Sequence, residues 1–120
     1  YDIPLNEIVD LVLQVRAGCY SIEASNPCHE HEWRVWEGVN LPDGKLLMPG
    51  VIGHYSDFIE HPRAIADRQI RYAKIVGREN VIAGSDCGIG SRVGHPQVGW
   101  AKFQAMAEGA RIASRELWGG

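Results

Sequence analysis

The chain has 120 residues and a formal net charge of −3 at pH 7, with acidic and basic side chains interspersed along it. This length suits one domain and is well short of the roughly 250 residues of a complete eight-unit (β/α) barrel. Without a basic block, the charge pattern argues against nucleic acid or an anionic membrane as a partner.

The cysteines and the terminal segments indicate the compartment. Cys19, Cys28 and Cys87 are an odd number without the spacing of a disulfide framework, which favours a reducing cytoplasm. No apolar run approaches the length of a membrane span, and the N-terminus lacks the basic-then-apolar order of a signal peptide. Because the segment from Tyr1 to Pro4 opens straight into a helix, we expect the chain to be a partial product.

The first part of the chain predicts a helix, a strand and a second helix. Pro4 suits the first turn of a helix that stops at Gly18, and a short apolar run then forms a strand that leads to Glu23. Asn26 and Pro27 suit the N-cap and first position of a second helix, which we expect to run to about residue 38. The apolar face of the first helix is expected to hold Leu5, Ile8, Val9 and Val12.

The rest of the chain predicts a strand, a helix, a strand and a last helix. Residues 46–52 are apolar, and their Pro-Gly pair indicates a bulge or a late start at Gly50. A helix begins near His61, a strand leads into Cys87, and the last helix begins at His95. We expect Phe103, Ala107, Ala110, Ser114 and Leu117 on the inward face of the last helix. Apolar strands that alternate with helices are typical of a parallel sheet covered by helices, here with exposed sheet edges.

Two residues of metal-ligand type follow predicted strands. Glu23 follows the first strand and Cys87 the third, and loops at the carboxyl ends of parallel strands are where sites are built. A carboxylate and a thiolate are zinc ligands, although two ligands alone do not define a site. The alternative is that Cys87 is a small loop residue and Glu23 a helix-proximal acid.

Two further candidates lie beside them. His54, in the loop after the second strand, can deliver a proton near neutral pH, and its alternative is a surface-loop histidine without a role. Asp86 is a candidate for orienting the thiol or for binding a substrate amine, and its alternative role is an Asx turn that serves Gly88. A hydrolase that pairs Cys87 with His54 or His95 lacks a fixed base. The segment from Gly88 to Gly90 resembles a phosphate-binding loop only weakly.

Residues 28–32, with the sequence Cys-His-Glu-His-Glu, form the densest group of metal-capable side chains. On a helix, His29 and His31 point about 200° apart, and Trp33 stands where the His-Glu-x-x-His template needs its second histidine. We therefore expect an acid-rich first turn that complements the helix dipole, with one histidine able to line the mouth of the site. Trp33 and Trp36 are expected to pack in the core.

Several segments of the chain resemble the C-terminal catalytic barrel of the cobalamin-independent methionine synthase family. The shorter, single-barrel homologues are the most similar branch, and the epoxyalkane:coenzyme M transferases belong to the same superfamily. The resemblance implies an α/β fold, with residues 1–120 as a single domain that is the C-terminal fragment of a (β/α)8 TIM barrel, about its last three strands with their covering helices. The segments that carry the resemblance are Ile22-Glu23-Ala24-Ser25, Pro49-Gly50-Val51 and Gly84-Ser85-Asp86-Cys87-Gly88.

The resemblance also implies a metal and a reaction. The family holds zinc through a His-x-Cys pair, a glutamate and a cysteine; Glu23 matches the glutamate and Cys87 the second cysteine, whereas this chain contains no His-x-Cys. His54 matches, with an offset of one position, the loop histidine that protonates the methyl donor. The implied parent enzyme transfers a methyl group from 5-methyltetrahydrofolate polyglutamate to homocysteine. We expect the isolated chain to bind zinc weakly and to be nearly inactive.

Two alternatives stay open at this point. One is a half-barrel module without catalysis, whose copies associate through exposed strand edges. The other is an alkyltransferase that acts on another thiol, such as coenzyme M. The expected partners are a small thiol, a folate methyl donor, and either a second copy or the missing half of the barrel.

Overall fold

The computed structural model describes residues 2–89 and 93–119, so Tyr1 and the end of the predicted phosphate-loop-like segment at Gly90 lie outside the described residues. The elements follow the predicted order of helix, strand, helix, strand, helix, strand and helix, except that the second helix is a 3-10 helix and a further 3-10 turn follows α2. In chain order they are α1 (Leu5–Val12), β1 (Cys19–Ile22), a 3-10 helix (Glu30–Glu37), β2 (Leu46–Ile52), α2 (Pro62–Val76), a second 3-10 turn (Arg78–Asn80), β3 (Gly84–Ser85) and α3 (Pro96–Trp118).

The strands form a parallel sheet in the order β1-β2-β3, as the sequence predicts. β1 and β2 pair from Cys19 opposite Leu46 to Ile22 opposite Pro49. β2 lies in the middle, and its Val51 and Ile52 are fully buried. Because all strands run in one direction, their carboxyl ends and the loops that follow meet at one edge of the sheet.

The third strand is shorter than predicted. Only Gly84–Ser85 forms regular pairs with β2, and Val81 adds one isolated bridge to Leu47. The register shifts between Gly50 and Ile52, so the predicted irregularity is present, although β2 begins at Leu46 rather than at Gly50. Among the described residues β3 has a strand neighbour on one side only, which leaves few backbone partners to extend it.

The first two helices differ from the prediction. α1 ends at Val12 instead of near Gly18, and the following turn is held by the Tyr20 hydroxyl, which donates to the carbonyl of Val15 at 2.8 Å. The second helix begins at Glu30 instead of Pro27, although Asn26 caps the turn before it: its Oδ1 accepts from the Cys28 backbone N–H at 3.0 Å, as an N-cap side chain does.

α2 and α3 begin in the same way, as the sequence predicts. A histidine occupies the N-cap and proline follows it; the His61 Nδ1 accepts from the Arg63 backbone N–H at 3.0 Å, and the His95 Nδ1 accepts from that of Gln97 at 3.1 Å. α2 ends at Val76, and its C-cap is Gly77, whose φ of 104° lies in the region that glycine favours.

The inward face of α3 is predicted wrongly at three of its five residues, whereas Ala110 is half-buried and Leu117 packs against a buried cluster. Phe103 is 39% exposed, and Ala107 and Ser114 are exposed as well. A Cβ on Gly109 would lie 2.5 Å from Cγ2 of Ile65, so the absence of a side chain lets α3 approach α2 closely. The helix therefore packs through small residues and one paired lysine, and its buried residues are Gly99, Lys102, Ala105, Gly109 and Ala113.

One cluster of the core joins side chains of α1, β1, the first 3-10 helix, β2 and α2. Trp36 is 2% exposed and packs with Leu5, Val9 and Leu47, as expected, whereas Trp33 is half-buried. The guanidinium groups of Arg34 and Arg71 lie about 5 Å from the Trp33 ring centroid, at 5.0 and 4.9 Å. None of the described helices combines the length and apolar character needed to traverse a bilayer.

Tyr72→Phe is expected to leave the free energy of unfolding unchanged or to raise it by up to about 1 kcal/mol. Tyr72 is 2% exposed, and its hydroxyl has no hydrogen-bond partner among the described residues. The matched control is Tyr20→Phe, which removes the hydrogen bond to Val15 and should cost about 1 kcal/mol in urea unfolding. A larger loss for Tyr72→Phe than for Tyr20→Phe contradicts this expectation.

The same variant tests a pH effect. Burial raises the pKa of the Tyr72 phenol, and the charges of Glu32 and Asp86 raise it further. A raised pKa means that the folded chain keeps the proton when the unfolded chain, with a pKa of about 10, has lost it. The wild type should therefore lose stability relative to Tyr72→Phe as the pH rises above about 10, and the two should not diverge below that pH.

Candidate metal centre

Glu23, His54 and Cys87 converge at the carboxyl edge of the sheet. Glu23 directly follows β1, His54 lies two residues after β2, and Cys87 two residues after β3. Each offers one ligand atom, and these three atoms all lie within 4.8 Å of one another. The parallel sheet thus brings together an oxygen, a nitrogen and a sulfur donor from segments that are about 30 residues apart in sequence.

The donor set fits a zinc ion. In a tetrahedral zinc site, neighbouring ligand atoms lie about 3.5 Å apart. Here the ligand atoms lie up to 4.8 Å apart, so they would have to move about 1 Å closer together to bind one ion. The Nδ1 of His54 is buried and has no hydrogen-bond partner among the described residues, so its imidazole is not held by another group through this atom. Cys87 is exposed and Glu23 half-buried, which leaves the ligand atoms accessible from solvent.

The Glu23 carboxylate is oriented by two neighbours on its own loop. The Asn26 side-chain amide donates to Oε2 of Glu23 at 3.2 Å, and the Nε2 of His29 lies 3.6 Å from the same oxygen. His29 therefore lines the mouth of the site, a possibility that the sequence left open, while His31 is exposed.

Glu32 has a role that the sequence pattern did not reveal. It is 4% exposed, contacts the His29 imidazole, and accepts a hydrogen bond from the Leu5 backbone N–H at 2.6 Å. Burial lowers the pKa of His29, but the hydrogen bond to Glu32 and the nearby carboxylates outweigh it, so this pKa is raised above its ordinary value. The expected acid-rich turn therefore includes an acid that serves the N-terminus of α1, which no local signal indicates.

The Asp86 carboxylate faces the loop after β1. Its oxygens accept from the backbone N–H groups of Ala24 and Ser25 and from the side-chain amide of Asn26, at 2.8 to 3.3 Å. These partners lie about 60 residues away, in place of the local Asx turn to Gly88 that the sequence offers as an alternative. A catalytic role for Asp86 stays a prediction, and the contacts show that this residue connects two loops of the site.

The loop that carries His54 is held by a buried ion pair. Lys102, which is 1% exposed, donates to Oε1 of Glu60 at 2.9 Å and to the carbonyl of Phe58 at 2.8 Å. The other oxygen of Glu60 accepts from the Gly53 backbone N–H at 2.7 Å, directly before His54. The sequence did not reveal this support, because Lys102 is not among the residues predicted for the inward face of α3.

An open pocket adjoins the candidate ligands. Its volume is about 380 Å³, and its walls include Glu23, His54 and the exposed Cys28. A second pocket of about 260 Å³ also reaches Glu23 and His29. A larger pocket of about 560 Å³ lies on the surface of α3, where its lining residues belong to one helix and include no histidine, cysteine, aspartate or glutamate. The pockets beside Glu23 are therefore the ones that can admit a substrate to the site.

The chain was compared with known protein families, curated proteins and solved structures. No protein-family model matches the chain, and no curated protein matches it significantly. A B12-independent methionine synthase from Shewanella sp. W3-18-1, solved in complex with selenomethionine, has a similar structure with a TM-score of 0.79 and 26% sequence identity. The match covers 95% of this chain and 31% of that chain. Over almost its whole length the chain is thus similar to part of a B12-independent methionine synthase, which confirms the resemblance that its motifs indicate.

Proposed function

We propose that this chain carries part of a zinc-dependent active site that transfers a methyl group to a thiol. The observation that carries the proposal is the convergence of Glu23, His54 and Cys87 within 4.8 Å at the carboxyl edge of the sheet. The similarity to a methionine synthase supports the same reaction class. The scaffold in this proposal is part of a (β/α)8 barrel, in which sites form at that same edge.

Glu23 and Cys87 are the proposed metal ligands. Zinc held there would lower the pKa of a thiol substrate and so favour the nucleophilic thiolate. In the proposed reaction the sulfur of homocysteine bonds to the methyl carbon of 5-methyltetrahydrofolate while the bond between that carbon and nitrogen breaks. His54 then supplies the proton that the departing nitrogen takes up.

The remaining ligands belong to the proposal as well. The chain spans 31% of the length of the Shewanella enzyme, and two ligands leave most of a zinc coordination shell to water. We propose that another part of a barrel, or a second copy of the chain, supplies the missing donors. A thiolate ligand needs a reducing compartment, so a cytoplasmic location is part of the same proposal.

A second candidate is an association module without catalysis. The observation that favours it is a set of large apolar side chains at the surface: Phe58 is 85%, Trp100 71% and Leu11 64% exposed. Light scattering separates a stable assembly from a monomer, and metal analysis with a thiol-alkylation assay separates an enzyme from a module. Assays with homocysteine and coenzyme M in parallel distinguish the two thiol acceptors.

Metal titration of the 120-residue chain tests the proposal. We expect weak binding of one cobalt(II), a spectroscopic substitute for zinc, with a charge-transfer band from the thiolate. Cys87→Ser should abolish this band, and Glu23→Gln should weaken binding by about 10-fold or more, since each removes a ligand. Cys19→Ser is the matched control, because Cys19 lies at the opposite end of β1 from Glu23.

His54→Gln decides the role of the histidine in the same titration. A proton donor leaves the affinity for cobalt(II) within about twofold of the wild type and impairs only the reaction of a complete enzyme. A fall as large as that of Glu23→Gln would instead make His54 a third ligand. Retention of the charge-transfer band in Cys87→Ser would contradict the proposed site altogether.

A further inference from the structure

Asp86 contacts all three chain segments that carry the candidate ligands. Its side chain accepts from the backbone N–H groups of Ala24 at 2.8 Å and Ser25 at 3.1 Å, directly after Glu23. Its backbone N–H donates to the carbonyl of Ile52 at 3.0 Å, two residues before His54. Cys87 is its neighbour in sequence. One residue therefore joins the ends of β1, β2 and β3.

The side chain of Asn26 extends this connection to a ligand oxygen. Its Nδ2 donates to Oδ2 of Asp86 at 2.9 Å and lies 3.2 Å from Oε2 of Glu23. Asn26 is 8% and Asp86 9% exposed, so water competes little for these hydrogen bonds. The orientation of the Glu23 carboxylate thus depends, through one amide group, on the position of Asp86.

The backbone of β2 leaves space at Gly50 for the Asp86 side chain. A Cβ built on Gly50 would overlap Oδ1 of Asp86 and would lie 2.8 Å from its backbone nitrogen. The Asp86 carboxylate therefore crosses the strand at the one residue type without a side chain. Hydrogen bonds to an ionised acceptor are roughly twice as strong as those between neutral groups, and this acceptor receives bonds from three residues.

We propose that Asp86 is a positioning residue of the metal centre, which sets the separation of Glu23 and Cys87 by holding the loop after β1 against the loop after β3. This inference rests on the proposed function, because it assigns Asp86 to the same metal site. In this role Asp86 acts through the two ligands and neither binds the ion nor transfers a proton. The pattern is that of outer residues which orient metal ligands and whose loss typically lowers affinity by about 10- to 100-fold.

Asp86→Asn is the direct test, because asparagine keeps the size of the side chain but presents an NH₂ group to donors. We expect the affinity of the chain for cobalt(II) to fall by about 10- to 100-fold and the charge-transfer band to shift in energy or intensity. Asp67→Asn is the matched control: it changes the net charge equally on the exposed face of α2 and should bind as the wild type does.

A second variant and a second measurement guard against misfolding. Asn26→Ser keeps a hydroxyl that can form the turn at Cys28 but does not reach both carboxylates, so a smaller loss of affinity is expected. Amide hydrogen exchange should become faster at Ala24 and Ser25 in Asp86→Asn, with exchange in the buried part of α2 unchanged. If Asp86→Asn does not fold, the affinity of Asn26→Ser for cobalt(II) decides.

The outcomes separate this inference from the proposed function. Wild-type affinity and an unchanged band in a folded Asp86→Asn variant, or in Asn26→Ser if Asp86→Asn does not fold, overturn the positioning role and leave the metal centre intact. A wild-type chain that binds no cobalt(II), or a Cys87→Ser variant that binds as the wild type does, overturns the metal centre and the positioning role together.

Discussion

Replacement of Lys102 by methionine is expected to lower the free energy of unfolding by about 3 kcal/mol, because it breaks a buried ion pair by removing one partner. The Lys102 side chain is 1% exposed, and its ammonium group donates to Glu60 and to the Phe58 carbonyl. Methionine fills a similar volume but cannot donate. The carboxylate of Glu60, which is 15% exposed, would then be left without its cation.

Two further variants isolate the ion pair in urea unfolding. Lys74→Met removes an exposed lysine of α2 and should change stability by no more than about 0.5 kcal/mol. Adding Glu60→Gln to Lys102→Met should recover part of the loss, since it removes the unpaired charge. If Lys102→Met is as stable as Lys74→Met, the pair contributes nothing and the loop before His54 is held by other contacts.

Element order and strand direction could be predicted from local signals. The apolar runs that end at Glu23, Ile52 and Cys87 are short and flanked by glycine or polar residues, and His-Pro pairs open both long helices. Parallel strands then bring three loops to one edge as a matter of geometry. The convergence of Glu23 with Cys87 therefore follows from strand order alone, without knowledge of side-chain contacts.

What the sequence did not reveal depends on contacts between distant residues. Lys102 looks like a surface residue until Glu60, 42 residues earlier, is placed beside it. The spacing of apolar residues gives no signal at Gly109, yet α3 packs against Ile65 at this glycine. The spacing of large apolar residues therefore predicted that Phe103 lies inside. In the structure, α2 and α3 approach closely, so most of the residues at their contact are small.

The same limit applies to the candidate site. The residue types of Glu23 and Cys87 indicate a metal and that of His54 a proton donor, but the hydrogen bonds between the loops of the site join residues about 60 positions apart in sequence. The Asp86 carboxylate accepts its hydrogen bonds only because the loop at Ala24 packs against it in the folded chain. The two ligands Glu23 and Cys87 could thus be predicted from residue type and strand order, whereas the third donor, His54, and the hydrogen bonds that fix the geometry of the site require the folded chain.

Gly50→Ala is expected to destabilise the chain by about 3 kcal/mol and to weaken cobalt(II) binding in any molecules that fold. A Cβ there would overlap the Asp86 carboxylate and would lie 2.9 Å from the Asp86 Cα, so the strain falls on backbone as well as on a side chain. β2 and β3 must move apart, and their paired residues Gly50 and Gly84 separate with them.

The matched control is Gly18→Ala, at an exposed position where an added Cβ meets nothing within 4 Å. Its stability in urea should equal that of the wild type or exceed it by up to about 1 kcal/mol, because alanine restricts the unfolded chain. Metal binding should not change in this control. Because Gly50→Ala moves Asp86 without altering any proposed ligand, a combined loss of stability and affinity would tie the metal centre to the packing of β2 against β3, and unaltered affinity in folded Gly50→Ala would argue against that dependence.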